Sequence, residues 1–501
     1  MLLRRIRIAF ASVCFLLLTL LFLDFTGTLH AWFGWMAEVQ LIPAILAVNM
    51  AVIVFLAFIT LLFGRIYCSV ICPLGVFQDA ISWIAGKRKK FRFSYTREKV
   101  WLRYLIMVLF IAALVVGISA VANLLDPYSI YGRIASSLLA PIYQLANNLL
   151  AFFAERVNSY AFYGVDLWLK SSAVFAVALV SLAVVGIMSW RYGRSYCNTI
   201  CPVGSFLGLV ARFSIYKVRI DSSKCNACGL CERSCKSSCI SSTDHAVDSS
   251  RCVACFSCIG KCRHSAITFA PRFTRANGAQ KVEEKEVTEL EADSSRRKFL
   301  SILALFTVST ALNAQQKKVD GGLAAIEDKQ LPNRKAPVTP PGSHSARNFN
   351  RHCTACQLCV SVCPNQVLRP SGNITTLLQP EMTYERGFCR PECTRCSEVC
   401  PSGAIEPITI AEKSSLQIGH AVWIEKNCVV LTDKVACGNC ARHCPAGAIT
   451  MVERLPKGSS SHKIPVVNVE RCIGCGACEY HCPARPFSAI YVEGHSMHRM
   501  V

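Results

Sequence analysis

Cysteine is the residue type that could do most of the chemistry in this chain of 501 residues, and there are 30 of them. Cys225, Cys228, Cys231 and Cys235 form one C-x2-C-x2-C-x3-C run; Cys252, Cys255, Cys258 and Cys262 form another. Thiolates this close in sequence must converge on a small object. The doubled run is the spacing that holds two [4Fe-4S] clusters, the fourth cysteine of each run ligating the other cluster. The expected ligand sets are therefore Cys225, Cys228, Cys231 and Cys262, and Cys252, Cys255, Cys258 and Cys235. Zinc is the alternative for clustered cysteines, and eight in this pattern fit paired cubanes better. Lys236 and Arg263 stand after the fourth cysteines, where positive charge would favour the reduced cluster.

Four further sets fill 353–482: Cys353, Cys356, Cys359, Cys363; Cys389, Cys393, Cys396, Cys400; Cys428, Cys437, Cys440, Cys444; and Cys472, Cys475, Cys478, Cys482. Pro364, Pro401, Pro445 and Pro483 follow the fourth cysteines. These sixteen thiols complete an expectation of about six clusters, each cubane taking four cysteines. Four more, Cys68, Cys72, Cys197 and Cys201, sit in two copies of G-R-x-Y-C-x3-C-P-x-G, at 64–75 and 193–204. They could hold an extra metal or iron–sulfur centre or cycle as two dithiols. Plain structural turns would leave the duplication unexplained. Cys14 reads as a small apolar residue, and Cys239 is a spare that could replace Cys235. The chain lacks C-x-x-C-H, so covalent haem is not expected.

These thiols need elements to carry them. Apolar stretches near 6–25, 41–63, 101–122 and 171–189 each approach the ~20 residues that cross a ~30 Å hydrocarbon layer as a helix. Lys and Arg crowd the start, the 64–99 connection and the segment after 190, while 26–40 has none and 123–170 few. That asymmetry puts both ends of the unit in the cytoplasm. Two helices plus one motif form a unit used twice, and such repeats pack around a pseudo-two-fold axis, which would gather the four motif cysteines at the cytoplasmic face. The expected fold class is thus a membrane α-helical unit, four-helix and internally duplicated, plus α+β ferredoxin-like modules carrying [4Fe-4S] clusters. The expected divisions are the membrane unit at 1–220, a cytoplasmic two-cluster module at 221–270 and a linker at 271–294. A twin-arginine-like signal or fifth anchor at 295–314, a flexible linker at 315–349 and a four-cluster module at 350–490 follow. The signal reading rests on Ser295-Arg296-Arg297-Lys298-Phe299-Leu300 and the short apolar run behind it; it would place the last module in the periplasm of a bacterial inner-membrane protein. The net charge of +22 is read as basic loops and cluster surroundings, since no nucleic-acid recognition motif accompanies it.

With these motifs, residues 1–270 resemble the NapH type of membrane quinol dehydrogenase, and 293–490 resemble its partner type NapG, a twin-arginine-exported protein with four clusters. The chain resembles the two fused. The resemblance implies an electron-transfer subunit rather than a stand-alone enzyme. It would oxidise quinol from the membrane pool and pass electrons to a periplasmic reductase or cytochrome, typically a nitrate system, with Cys68, Cys72, Cys197 and Cys201 helping the relay. Asp24, His30, Glu38, Asp126 and Asp166 are candidate acceptors for the protons released. The irregular second and third sets also resemble four-cluster subunits of molybdenum oxidoreductases, which implies nested pairing: sets one and four share one pair of clusters, sets two and three the other. Two rival readings are an assembly or activation factor for a respiratory enzyme and reverse flow from ferredoxin to quinone, which would keep 353–482 inside. The sequence shows no molybdopterin, copper or haem site for reducing a substrate directly.

Overall fold

The computed structural model describes residues 2–24, 26–87, 93–159, 162–165, 170–272, 327–373, 375–453 and 463–500. The twin-arginine-like segment, Asp166 and almost all of the 271–294 linker lie outside them. The first part of the chain is helical, with α1 (Leu2–Leu23), α2 (Met50–Phe63), α3 (Pro73–Lys87), α4 (Val100–Val116), α5 (Pro127–Ile134), α6 (Ala140–Arg156), α7 (Ser172–Tyr192) and α8 (Pro202–Ala211) as its main helices. Among the described residues, three helices are long and apolar enough to cross a bilayer: α1, α7, and the continuous run Pro127–Arg156 in which a π-helical turn, Ala135–Leu139, joins α5 to α6. This is compatible with a membrane protein.

Two of the expected spans are interrupted. In 41–63, Val48 takes φ 53° and Asn49 caps α2 by accepting from Val52 N (3.3 Å), so the helix restarts there. In 101–122, Gly117 ends α4 in the left-handed conformation, as glycine does after a helix. The α2 and α4 segments are 14 and 17 residues long, short of the ~20 of a full span. The Pro127–Arg156 helix, conversely, falls in a connection read as an outer loop. Its Ser136, Ser137, Gln144, Asn147 and Asn148 dilute the apolar signal.

Three α+β units follow the helices. In the first, Tyr216–Ile220 pairs antiparallel with Ile267–Pro271, in register from Tyr216↔Pro271 to Ile220↔Ile267, around a small Ile240–Ser241/Ala246–Val247 hairpin. The third repeats that plan: Leu416–Trp423 pairs with Ile490–Met500 around the Ile449–Glu453/Lys463–Val467 hairpin. The second is reduced to Leu368–Pro370 with Pro380–Met382.

The helices place the first unit and the second on opposite ends of the bundle. At one end Ile215 N donates to Leu61 O (2.8 Å) and Arg194 N to Lys236 O (2.8 Å), at the close of α2 and just after α7, while Arg103, early in α4, donates to Ser250 Oγ (3.2 Å). At the other end Ser119, past α4, donates to Asn350 (2.7 Å), Lys170, before α7, donates to Val360 O (2.9 Å), and Gly403 abuts Ala47, before α2. The core between them joins Leu18, Leu21, Phe22, Leu56 and Phe110 to Tyr67, Tyr131, Cys68, Cys72 and Cys201, and takes in Cys356 and Leu358 of the second unit.

Candidate functional site

The motif cysteines come together. Each motif follows an apolar helix and turns back, and Pro73 and Pro202 open α3 and α8, where proline's missing N–H costs nothing. Cys68, Cys72, Cys197 and Cys201 are each 2–3% exposed and close enough to interact electrostatically. Their setting has a pseudo-two-fold exchange. Arg65 of the first motif donates to Cys197 O (3.0 Å), and Arg194 of the second donates to Cys68 O (2.5 Å). Gly75 and Gly204 make this possible: a Cβ at either would overlap the carbonyl oxygen of Cys68 or Cys197 and press on the arginine reaching it. The motif tyrosines point away from the first α+β unit. Tyr67 OH donates to Gln40 (3.0 Å), and Tyr196 OH to Leu125 O (3.2 Å).

Charge decides what this site can hold. Arg65 and Arg194 are fully buried. Arg65 has no carboxylate partner among the described residues; its guanidinium lies 3.9 Å from Cys68 Sγ. Gln78 Nε2 donates to Cys197 Sγ (3.3 Å). Buried cations call for compensating negative charge, and thiolates supply it, so four soft donors among arginines fit an anionic iron–sulfur centre. Arg194 is shared with Asp79, which accepts from its Nε (2.9 Å) and from Arg7 (2.8 Å) and lies 3.4 Å from Lys236 Nζ. Burial pushes the Asp79 carboxyl up, but Arg194, Lys236 and Arg7 outweigh it and hold it well below the ordinary value. Lys236 is thus tied to a carboxylate rather than standing free beside a cluster, and Arg263 is exposed.

The α+β units place their thiols by backbone geometry. In every C-x2-C-x2-C loop the residues on either side of the second cysteine have positive φ: Ala227 and Gly229, Ala254 and Phe256, Ala355 and Gln357, Gly474 and Gly476. After five of the six fourth cysteines the third residue on does the same, at Ser238, Ser265, Gln366, Gly403 and Gly447. Four of these turns aim N–H groups at sulfur, Ala266 N to Cys262 (3.3 Å), Ala355 N to Cys353 (3.4 Å), Ile405 N to Cys400 (3.4 Å) and Ala448 N to Cys444 (3.2 Å), and Ala489 N reaches Cys482 (3.3 Å) from seven residues on. Hydrogen bonds to sulfur tune the potential of a bound cluster. Among the described residues no three His, Cys, Asp or Glu side chains close to single-ion geometry, whereas a cubane holds its cysteines apart. Burial pushes the thiols of Cys356 and Cys475 up to about 12 and that of Cys440 to about 11, so loading these sites must release protons.

Cys225, Cys228, Cys231 and Cys262 line one cavity; Cys235, Cys252, Cys255 and Cys258 interact around a second centre. Cys239 stands 3.5 Å from Cys235 and beside Cys252, inside that second centre. In the second unit Cys353, Cys356 and Cys359 meet Cys400, and Cys389, Cys393 and Cys396 meet Cys363. In the third, Cys428, Cys437 and Cys440 meet Cys482, and Cys472, Cys475 and Cys478 meet Cys444. The nested pairing is therefore corrected. Sets one and two share one unit, and sets three and four the other, because each unit closes its own core. The two units adjoin where Cys389 N donates to Cys475 O (2.9 Å).

Of the expected proton acceptors, Asp126 is 1% exposed and caps α5 through Tyr128 N (3.3 Å) and Ser129 N (3.0 Å). It lies close enough to Cys356 and to Tyr67 to interact with both. Asp24 is bound up with His30 (3.2 Å), and Glu38 is exposed. The sequence reading passed over Asp79 and Gln357. The glycine that closes each motif was the one signal that could have pointed to the arginine exchange.

A family model described as a 4Fe-4S binding domain matches residues 45–92 and 174–220, one motif in each. A second, described as a 4Fe-4S dicluster domain, matches 352–405 and 435–485, in line with sequential pairing. The methylamine utilization ferredoxin-type protein MauN of Paracoccus denitrificans is 30% identical over 36% of this chain and 50% of its own length. YccM of Escherichia coli, named for electron transport, is 25% identical over 39% of this chain and 48% of its own. The ferredoxin-type protein NapF of Escherichia coli is 30% identical over 14% of this chain and 40% of its own. The chain spans half or less of the length of these relatives. No solved structure matches. The chain carries domains of the 4Fe-4S binding type and is similar over part of its length to the ferredoxin-type proteins MauN and NapF and to YccM.

Proposed function

We propose that this protein is a membrane quinol dehydrogenase subunit, which takes electrons from quinol and delivers them to a reductase system at the outer face, of the nitrate type or a related one. The observation that carries this reading is the position of the four motif thiols. They are buried between two sets of cysteine-rich units, at opposite ends of an apolar helical bundle. The twenty-four cysteines in six sets would hold six [4Fe-4S] clusters, and Cys68, Cys72, Cys197 and Cys201 a further centre. When bound, such groups supply one-electron transfer. The chain's own residues do the rest. Arg65 and Arg194 neutralise the thiolates of the middle site, and the positive-φ loops fix each ligand set. The bundle keeps water from the buried thiols and, in this reading, spans the membrane, with the 225–262 unit in the cytoplasm and the 353–482 units in the periplasm.

The test is anaerobic mixing of the purified protein with a reduced quinol analogue. Bleaching of the iron–sulfur absorbance is the expected result. No bleaching, in a preparation that dithionite does reduce, refutes quinol as the donor. A phosphatase fused to the C-terminus reports topology: periplasmic activity lost in Arg296→Lys/Arg297→Lys is expected, and none at all would refute the export reading.

A further inference from the structure

A cavity of about 50 Å³ lies on the seam between the helical bundle and the second α+β unit. Phe22, Val174 and Phe175 give it apolar walls, Ser136 and Ser137 of the π-helical turn line one side, and Gln357 lines another. Turns of this kind recur at functional sites. Gln357 is 2% exposed and occupies the Cys356–Cys359 segment. Its amide nitrogen is committed to Leu378 O (2.5 Å), but its Oε1 has no partner, and neither has Ser136 Oγ. A buried acceptor without a donor is unfavourable unless a ligand satisfies it. Gln357 also sits at φ 70°, where the equivalent positions after Cys228, Cys255 and Cys475 are Gly229, Phe256 and Gly476. A side chain at this φ carries a backbone penalty. The cavity therefore presents a free acceptor to a donor carried on an apolar ring, next to a cysteine ligand set.

Resting on the quinol reading above, we propose that this seam cavity binds the hydroquinone ring, one hydroxyl donating to Gln357 Oε1 and the other side of the ring facing Ser136 and Ser137. Oxidation breaks both O–H bonds. Two protons leave to water at the outer face, and the two electrons would be taken up, one each, by the [4Fe-4S] centres that Cys353, Cys356, Cys359 and Cys400, and Cys389, Cys393, Cys396 and Cys363, would hold. The quinone product carries acceptors only, so it loses its bond to Gln357 Oε1 and is released.

The experiment uses the full chain in detergent, a reduced decyl-ubiquinol and its azido-quinone photolabel. Gln357→Leu removes the acceptor. Ser136→Leu fills the cavity from the π-helical turn, an element that carries no ligand cysteine. Expected are label on the 136–144, 171–175 or 357–361 segments, lost in Ser136→Leu, and bleaching by the quinol slowed by about tenfold in Gln357→Leu, the effect of one lost hydrogen bond, and by at least as much in Ser136→Leu, where the ring is excluded. Dithionite bleaching and iron content stay unchanged. Wild-type bleaching rates in both variants, or label confined to other segments, would overturn this site and leave the quinol reading standing. A wild-type protein that dithionite reduces and quinol does not would overturn that reading, and this one with it.

Discussion

Replacing Asp79 with alanine tests the electrostatic frame of the middle site. Asp79 is 7% exposed and lies between Arg7, Arg194 and Lys236, at 2.8 to 3.4 Å. These residues come from α1, the second motif and the first α+β unit, so one carboxylate ties three parts of the chain. The local charge is three cations against one anion; removing the anion leaves the buried Arg7 and Arg194 and the partly buried Lys236 in mutual repulsion. Breaking a buried ion pair from one side costs about 3–5 kcal/mol. Asp79→Ala is expected to lose that much apparent stability in a urea titration of the detergent-solubilised protein. Arg7→Leu combined with Asp79→Ala should lose less than the sum of the two single changes by about 1 kcal/mol or more, because one repelling cation is gone. The sign with pH follows from a carboxyl held low: its stabilisation is complete above the ordinary value of 3.8 and is lost only as pH falls through the folded value. The wild-type advantage should therefore be flat from pH 5 upward, to within about 0.5 kcal/mol. A loss under about 1 kcal/mol, or strict additivity with Arg7→Leu, would refute the reasoning.

Cys68→Ser/Cys201→Ser should separate the two ends of the chain. In vesicles with the C-terminal units outward, dithionite-reduced wild type is reoxidised completely by external ferricyanide; the variant should keep about one third of its bleaching, two clusters of about six, and full reoxidation at the wild-type rate would count against a route through the thiols. Gly204→Ala drives a methyl into Cys197 O and toward Arg65, so iron bound beyond that of the six cubanes, on the order of 24 atoms, should fall while the cubane electron-paramagnetic signals remain. His498 accepts or donates at Thr339 Oγ1 (2.9 Å); burial first, then His344 and His495, lower its pKa to about 4. A base depressed in the fold loses its stabilisation as pH drops from about 6.5 to about 4, and His498→Phe should flatten that limb by about 1–3 kcal/mol in acid unfolding.

The local chemistry was legible in the sequence because it is local. A C-x2-C-x2-C loop closes on its centre through residues at positive φ such as Ala355 and Gly474, whatever packs around it, so spacing alone names three ligands of a set. The duplicated motif likewise announced that Cys68, Cys72, Cys197 and Cys201 belong together. The fourth ligand was harder. Spacing could not say whether Cys363 returns to the neighbouring set or to a distant one, since that depends on which strands and cores close first. The structure puts it with Cys389, Cys393 and Cys396.

Long-range packing decided the rest. The Pro127–Arg156 helix hid among polar residues because its α5 segment is buried on all sides and hydropathy reads only composition. Asp79 looked like one acid among others until α1, Arg194 and Lys236 closed around it. By itself the sequence determined the kinds of centre and the sets of thiols that belong together, because those are fixed by bonds a few residues apart. Only the tertiary structure decided that sets one and two share a unit, that the arginines cross between repeats, and that an unmet acceptor on Gln357 faces a seam cavity. Each of these joins residues tens to hundreds of positions apart, and nothing shorter than the packed bundle specifies them.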